Sequence, residues 1–243
     1  MNPSIILKGM RELYSGGNMM YKLSCKTLGP VGTNCYTVIN EDTNEAILID
    51  ATGEADILLS EVKSAGALPK ALLLTHAHFD HIDAVDKVRA EYPDIEVIIG
   101  EKDAPLMENP SLNLSLAFLG KPFSTKADRT VSDGEEIEFI GLKIKCIEVP
   151  GHTVGGMCYY FELDIENDEG EILPINRQRI LFDGDTLFRR SIGRSDFPTG
   201  DGELLIRSID EKLLVLPEDT KIFPGHDNET TVGSEKKNNY YFI

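Results

Sequence analysis

The 243-residue sequence lacks tryptophan altogether and contains few cysteines. Its four cysteines stand singly, without a CxxC pair, at Cys25, Cys35, Cys146 and Cys158. Such spacing is typical of buried free thiols in a reducing compartment, so a cytoplasmic protein is predicted. No apolar run approaches the roughly 18 residues of a membrane span, and Met1 to Asn18 has no hydrophobic stretch of signal-peptide type. The sequence therefore predicts neither a membrane protein nor an exported one.

Positive charge is also scarce. Lys and Arg number 24 against 41 Asp and Glu, which gives a formal net charge of −17. A polyanion has to be met by clustered cations, so this balance argues against a nucleic-acid partner. The remaining composition, 41% hydrophobic and 27% charged, is ordinary for a globular protein of one large domain. Because Gly16-Gly17-Asn18 interrupts the start of the chain, we predict an N-terminal extension over 1–20 and a domain over 21–243.

Short apolar or alternating runs separated by turn residues predict an α/β (α+β) fold. The order of the predicted elements is strands, helix, strand, helix and strand, followed by further strands, a helix and a last strand. This order predicts two sheets face to face with helices outside, a four-layer αββα sandwich. The acidic segment Asp164 to Gly170 is interpreted as a solvated turn. Strands are predicted at 21–28, 35–39, 46–49, 71–74, 95–99, 136–140, 143–148, 158–163, 179–182 and 221–223, and helices at 54–65, 82–91 and 202–216.

Four candidate metal ligands lie within the loop between strand 71–74 and the following helix: His76, His78, Asp80 and His81. Neutral imidazole and carboxylate oxygen both suit zinc. Alternate residues of an extended chain point the same way, so His76 and His78 are expected to share a direction. Asp80 and His81 follow where the chain turns, toward a second position nearby. The alternative is a polar, solvated loop.

The other two histidines occur in matching contexts. His152 and His226 each follow a Pro-Gly pair at the end of a predicted strand, where the backbone can turn sharply. Asp185 likewise follows a hydrophobic strand and a glycine. A lone histidine of this kind is more often a packed or surface residue, but two in parallel contexts favour a shared ligand role.

The pattern His76-x-His78-x-Asp80-His81, completed by His152, Asp185 and His226, resembles the metallo-β-lactamase superfamily and more narrowly its glyoxalase II (hydroxyacylglutathione hydrolase) branch. The resemblance covers about residues 21–240. The chain ends 17 residues after His226, so it is similar to the short bacterial glyoxalase II-like hydrolases, without the helical C-terminal domain of the full-length enzymes. Asp83 departs from the glycine that many relatives carry. Further matching stretches are Asp50, Gly151-His152-Thr153, Gly184 to Phe188, Gly193 to Pro198 and Pro224-Gly225-His226.

The resemblance implies a four-layer αββα metallo-β-lactamase sandwich with two divalent metal ions, zinc first and iron or manganese as alternatives. It implies one ion held by His76, His78 and His152, and a second by Asp80, His81 and His226. Asp185 would bridge the two, so that Asp80 and Asp185 are the predicted catalytic carboxylates. Asp50 would orient a ligand imidazole through its free ring nitrogen, the alternative being a simple turn residue at a strand end.

The implied activity is hydrolysis of an acyl thioester, such as S-lactoylglutathione, by a hydroxide made available between two metal ions. Glutathione as the natural thiol is put in doubt by the missing C-terminal domain. Two alternatives remain from the same superfamily. One is a persulfide dioxygenase with a single iron, and the other is a lactonase or phosphodiesterase.

Three arginines, Arg189, Arg190 and Arg194, gather just after Asp185 in an otherwise acidic chain. Guanidinium binds carboxylate in a bidentate fork, so the cluster predicts a small anionic thioester as substrate. Arg194 is the preferred anchor, because Gly193 lets the backbone turn toward the cleft. The alternative is that the arginines merely pair with Asp183, Asp196 or Asp201. The sequence does not predict an oligomeric state.

Overall fold

The computed structural model describes residues 11–14, 17–166 and 172–243. Its strands form two large sheets and one two-stranded ribbon within those ranges. Of the predicted solvated turn, residues 167–170 lie outside the described residues, whereas 164–166 belong to a strand.

The first sheet contains the strands of the N-terminal half in sequential order. Its first four strands are antiparallel, and parallel pairing begins where the fourth meets the fifth. The parallel strands need crossover connections, which the helices supply. The strands are β1 (Arg11–Tyr14), β2 (Gly17–Leu28), β3 (Thr33–Asn40), β4 (Glu45–Ile49), β5 (Leu68–Leu73), β6 (Glu96–Gly100) and β7 (Arg129–Val131).

The second sheet contains six strands among the described residues, in the order β15-β14-β11-β10-β9-β8, and a small ribbon stands beside it. Strands β9, β11 and β14 run in one direction, since β10 is antiparallel to two of them and β11 is parallel to β14. Their carboxyl ends therefore meet at one edge. These strands are β8 (Glu136–Phe139), β9 (Leu142–Glu148), β10 (Met157–Glu166), β11 (Ile172–Gly184), β14 (Lys221–Pro224) and β15 (Thr230–Thr231), and the ribbon is β12 (Leu187–Phe188) with β13 (Ser191–Ile192).

Helices lie on the outer faces of both sheets. The last predicted helix, 202–216, is observed as an α-helix that continues as a π-helical segment, Ile209–Leu213. The α-helices are α1 (Ala55–Ser64), α2 (Phe79–Ile82), α3 (Val85–Glu91), α4 (Ala104–Met107), α5 (Ser115–Leu119), α6 (Gly202–Ser208) and α7 (Val232–Asn238).

Three apolar clusters separate the four layers. Alternating side chains of one strand belong to two different clusters, because successive strand residues point to opposite faces of the sheet. Leu73 packs between the sheets with Phe182, whereas Leu72 packs outward against Leu58 of α1. On the far side, Leu181 of the second sheet packs against Leu205 of α6. The predicted αββα sandwich is thus confirmed.

The predicted single helix over 82–91 is wrong in detail. The structure has two helices there, α2 and α3, because the backbone of Ala51 interrupts the helical hydrogen bonds between them. Its N–H donates to the carbonyl of His81 at 3.0 Å, and its carbonyl accepts from the N–H of Ala84 at 3.2 Å. The break ties the histidine loop to the residue that follows Asp50.

Strand β2 begins at Gly17 and pairs with β1, so it crosses the predicted boundary between residues 20 and 21. The division into an extension and a domain remains a prediction. Across the described ranges, none of the helices combines the length and the apolar character needed to span a bilayer.

Candidate metal centre

The histidine loop leaves the sheet at the end of β5 and continues in extended conformation to His78, which has φ −68° and ψ 148°. As expected for alternate residues of an extended chain, His76 and His78 point the same way: Nε2 of His76 and Nδ1 of His78 are 3.1 Å apart. Both side chains are buried.

The imidazole of His152, from the loop after β9, completes a triangle of ring nitrogens. Its Nε2 lies 3.2 Å from Nε2 of His76 and 2.9 Å from Nδ1 of His78. Nitrogens held about 2 Å from a tetrahedral zinc ion lie about 3.3 Å from one another. The spacing of the three nitrogens is therefore close to that of a metal-binding triad.

A second group forms from the beginning of α2 and the loop after β14. Oδ2 of Asp80 lies 3.5 Å from Nε2 of His81 and 3.3 Å from Nε2 of His226. The ligand atoms of these three residues all lie within 4.8 Å of one another. The ligand atoms of His76, His81 and Asp185 form a third such group. The structure therefore brings the predicted ligands together, and their division between two ions remains a prediction. We call His76, His78 and His152 the first triplet, and Asp80, His81 and His226 the second triplet.

Asp185 lies between the two triplets, at the end of β11. Its Oδ2 is 3.7 Å from Nε2 of His152 in the first group and 3.5 Å from Nε2 of His226 in the second. Its Oδ1 is 3.5 Å from Nε2 of His81. One carboxylate therefore faces both groups, which is the placement that a bridging ligand requires.

Hydrogen bonds on the outer side of three rings fix which nitrogen carries the proton. Nδ1 of His81 donates to Asp50 at 2.8 Å, and Nδ1 of His226 donates to the carbonyl of Gly32 at 3.2 Å. Nδ1 of His152 donates to the carbonyl of Arg194 at 2.7 Å. In the neutral form of each ring, a proton on Nδ1 leaves Nε2 with a lone pair directed toward the centre.

Metal binding needs neutral imidazoles and ionised carboxylates, a requirement that the histidines of the first triplet and Asp185 meet. The pKa of His226 is raised instead, because burial of its ring is outweighed by the carboxylates of Asp80 and Asp185. Burial holds the pKa of His76 and His152 below the usual value and lowers the pKa of His78 to about 3. Burial would lower the pKa of His81 as well, but the carboxylates around that ring outweigh it and raise the pKa. The pKa of Asp185 stays below its usual range despite burial, because His81 stands beside it.

Several buried polar atoms of the candidate ligands have no hydrogen-bond partner among the described residues. They include Nε2 of His81 and Oδ1 of Asp185, both of which face the centre of the cluster. A buried polar atom without a partner is costly, and a bound cation would satisfy both. The donor set of imidazole and carboxylate therefore fits two divalent ions, whether zinc or iron.

Comparison with known families identifies the superfamily of the chain. The sequence model of the metallo-β-lactamase superfamily matches residues 28–164, more than half of the chain. The protein belongs to the metallo-β-lactamase superfamily.

Three relatives in this superfamily cover nearly the whole chain. A hydroxyacylglutathione hydrolase, GloC of Haemophilus influenzae, is 35% identical over 208 residues, 85% of this chain and 91% of GloC. The crystal structure of the B3 metallo-β-lactamase BLEG-1 has a TM-score of 0.79 at 37% identity, with 92% of this chain and 99% of that chain covered. The structure of TTHA1623 in a di-iron-bound form has a TM-score of 0.70 at 32% identity, covering 89% and 98%.

Glycine is required at two positions of this metallo-β-lactamase site. A Cβ on Gly225 would collide with Oδ1 of Asp185 and lie 2.7 Å from the ring of His81. A Cβ on Gly151, which has φ +131°, would collide with the backbone of Leu205. The Pro-Gly-His contexts are therefore explained by close packing around the ligands as well as by backbone freedom.

The arginine cluster divides in the structure. Arg194 forms a two-pronged ion pair with Asp196, at 2.7 Å for both bonds, and its guanidinium lies 3.7 Å above the ring of Phe197. Its carbonyl oxygen, rather than its side chain, contacts the candidate ligand His152. Arg189 and Arg190 are exposed and make no ion pair among the described side chains. Substrate binding by the three arginines remains a prediction.

Sequence reasoning missed Asp103, which is buried and joins the two loops of the first triplet. Its carboxylate accepts from the N–H of Ala77 at 3.0 Å and from the N–H of Gly155 at 2.7 Å. It also missed Thr33, whose hydroxyl donates to Oδ2 of Asp80 at 2.9 Å. Asp103 follows a buried strand as Asp50 does, so the same sequence signal could have indicated it.

Proposed function

We propose that this metal-dependent hydrolase is a binuclear thioesterase of glyoxalase II type. The placement of Asp185 carries the proposal, because one carboxylate facing two ligand triplets is suited to a pair of ions rather than to one. The likeness to GloC, a hydroxyacylglutathione hydrolase, supports a thioester such as S-lactoylglutathione as the substrate class.

When bound, two divalent ions supply an acidified water nucleophile and stabilise developing negative charge. The residues of the chain hold and orient that chemistry. Asp80 and Asp185 are the proposed catalytic carboxylates, since both face the centre and both carry negative charge. Asp50 keeps Nε2 of His81 turned inward by accepting from the opposite ring nitrogen.

A thioester is suited to this centre because a thiolate can leave with little help from a proton donor. Amine or alkoxide leaving groups need protonation in the transition state. The carboxylates at the centre, Asp80 and Asp185, have pKa values below the usual range and would not supply that proton near neutral pH.

The substrate is proposed to be anionic, bound by Arg189, Arg190 or Arg194. The exposure of all three side chains just after the metal ligand Asp185 supports this. Cytoplasmic location is part of the same proposal, supported by four separate cysteines, three of them buried.

Metal analysis of the purified protein, together with an assay on S-lactoylglutathione, tests the proposal. We expect close to two equivalents of zinc, iron or manganese per chain and hydrolysis of the thioester. A fully active protein with one equivalent of iron, consuming oxygen with a persulfide substrate, would instead establish the dioxygenase. Lactones and phosphodiesters in the same assay series test the remaining alternative.

A second candidate is β-lactam hydrolysis, which the 37% identity to the B3 metallo-β-lactamase BLEG-1 favours. Both reactions begin with attack on a carbonyl carbon, so the same ligand arrangement serves either. A chromogenic cephalosporin measured beside the thioester separates them. The ratio of kcat/KM for the two substrates is expected to favour the thioester by several orders of magnitude.

A further inference from the structure

An aromatic cluster extends from the metal centre to the surface. The ring of the ligand His78 lies edge-on to Phe197, with centroids 5.8 Å apart. Phe197 in turn lies edge-on to Phe118 at 5.7 Å, and Phe118 stacks on Phe79 at 5.5 Å with an interplanar angle of 18°. Two ring contacts therefore separate the exposed ring of Phe118 from a metal-ligand imidazole.

The exposure of Phe118 has no structural explanation within its own helix. Phe118 is 51% exposed, although Phe79 beneath it is buried. An aromatic ring can bury 150–250 Å² and is costly to leave half in water. Its position beside the metal centre provides a reason: the exposed part of the ring is available to a ligand.

The segment that carries Phe118 is held firmly in place. Asn113 is fully buried, and its side-chain amide donates to the carbonyls of Met107 and Phe123. Its main-chain carbonyl accepts from the N–H of Phe79. Since Phe79 begins α2, which contains two metal ligands, the segment is attached directly to the metal loop. The ring of Phe118 therefore projects from a segment bonded to the metal loop and packs on Phe79 and Phe197 without a ligand, and such a preformed surface lowers the entropic cost of binding.

We infer that Phe118 and Phe197 bind an aryl group of the substrate. The substrate class is then a thioester with a phenyl or similarly flat apolar group rather than a small hydroxyacyl group alone. This inference rests on the proposed thioesterase function and extends it. Arg194 lies over Phe197, the inner ring of the pair, so a carboxylate on the same substrate would bind beside the two rings.

Binding of unreactive analogues tests the inference independently of turnover. The probes are thioethers in which a CH₂ group replaces the thioester carbonyl: one with phenyl on the acyl side, one with phenyl on the thiol side, and one with methyl groups only. Dissociation constants are measured by calorimetry on the metal-loaded full chain. Stacked or edge-on rings add roughly 2- to 12-fold in affinity beyond simple burial.

Phe118→Ala is expected to weaken one of the phenyl thioethers about tenfold and to leave the methyl thioether unchanged. The phenyl thioether whose binding is weakened shows whether Phe118 and Phe197 bind the acyl side or the thiol side of the substrate. Phe118→Tyr keeps the ring and is expected to retain tight binding, and unchanged binding of the methyl thioether shows that Phe118→Ala is folded. Leu116→Ala is the matched control, because Leu116 is 50% exposed on the same helix but belongs to no ring contact among the described residues.

Wild-type protein that binds phenyl and methyl thioethers equally would overturn the inference. So would an equal loss in Phe118→Ala and Leu116→Ala. Failure of the proposed function is recognised separately, by absent thioester turnover in the two-metal wild type, and leaves the calorimetric comparison intact.

Discussion

The imidazole of His81 donates through Nδ1 to Oδ2 of Asp50, across 2.8 Å, inside a fully buried pair. Asp50 is also held by Thr75, whose N–H and hydroxyl each donate to it at 2.8 Å. The carboxylate therefore has no freedom to turn away from the ring. The backbone of Asp50 lies in the left-handed region, at φ +56°, which Asp and Asn tolerate better than other residues with a side chain.

Asp50→Asn is expected to reduce the affinity for the ion at the second triplet by about 10- to 100-fold. The amide keeps the shape and the backbone conformation but loses the negative charge that draws the proton to Nδ1 of His81. Competition with a chromogenic chelator measures the affinity. Unchanged affinity for both ions would show that Asp50 is only a turn residue.

Asp80→Ala is expected to leave about one equivalent of metal and to abolish most turnover. Asp80 is the carboxylate of the second triplet, whereas the first triplet contains none of its atoms. Adding His226→Ala should cost little more, because ligands that act as a unit are strongly non-additive. Elemental analysis and kcat/KM provide the measurements.

Thr33→Val is the graded control for Asp80→Ala, since it removes only the hydroxyl that donates to Asp80. It should keep both ions with a modest loss of affinity. Two ions and near-full turnover in Asp80→Ala would contradict the assignment of that residue.

The raised pKa of Asp103 predicts that the stability of the folded protein depends on pH. Burial raises this pKa to about 6 in the folded protein, against 3.8 for an unperturbed carboxyl, although hydrogen bonds from the N–H groups of Ala77 and Gly155 oppose the shift. The folded state therefore holds this proton more tightly than the unfolded chain. The resulting stabilisation is present below about pH 4 and is lost as the pH rises through 6.

The free energy of unfolding of the wild type relative to Asp103→Asn is therefore expected to fall between pH 4 and pH 7, by up to about 3 kcal/mol. Denaturant titrations of the chelator-treated proteins measure it. Asp133→Asn is the control: burial there is outweighed by Lys212, which lowers the pKa of Asp133, so its small pH trend should have the opposite sign. A flat difference for Asp103→Asn would contradict the prediction.

The ion pair between Arg194 and Asp196 allows the anchor role to be tested in both directions. If Arg194 binds a substrate carboxylate, Arg194→Ala should raise KM for an anionic thioester more than it lowers kcat. A charge-assisted hydrogen bond contributes about 1.5–3 kcal/mol, a factor of about 10 to 150 in affinity. Asp196→Ala should lower the same KM, because it frees the guanidinium.

A neutral thioester of matched size is the control substrate, and higher salt should weaken binding of the anionic one selectively. Equal effects of Arg194→Ala on both substrates would assign Arg194 a structural role. Arg189→Ala and Arg190→Ala, measured alongside, then show whether one of the unpaired cations binds the carboxylate.

The sequence by itself determined which candidate ligands the chain offers and the order of the strands and helices. Both are local properties: His76 and His78 alternate on an extended chain, and His152, Asp185 and His226 each follow a glycine at a strand end. Short apolar runs such as 71–74 likewise indicated strands, and the order of strands and helices indicated the layered sandwich. Residue type and spacing suffice for such inferences, since they depend on neighbours a few positions away.

Only the tertiary structure decided how those residues combine. The shared direction of β9, β11 and β14 brings three distant loops to one edge, and places Asp185 between the two triplets. The break between α2 and α3 comes from Ala51, about 30 residues earlier in the chain, and the clamp by Asp103 joins two separate loops. Arg194 pairs with Asp196 and stacks on Phe197 because packing brings those groups together. Such contacts depend on long-range geometry that no local pattern specifies.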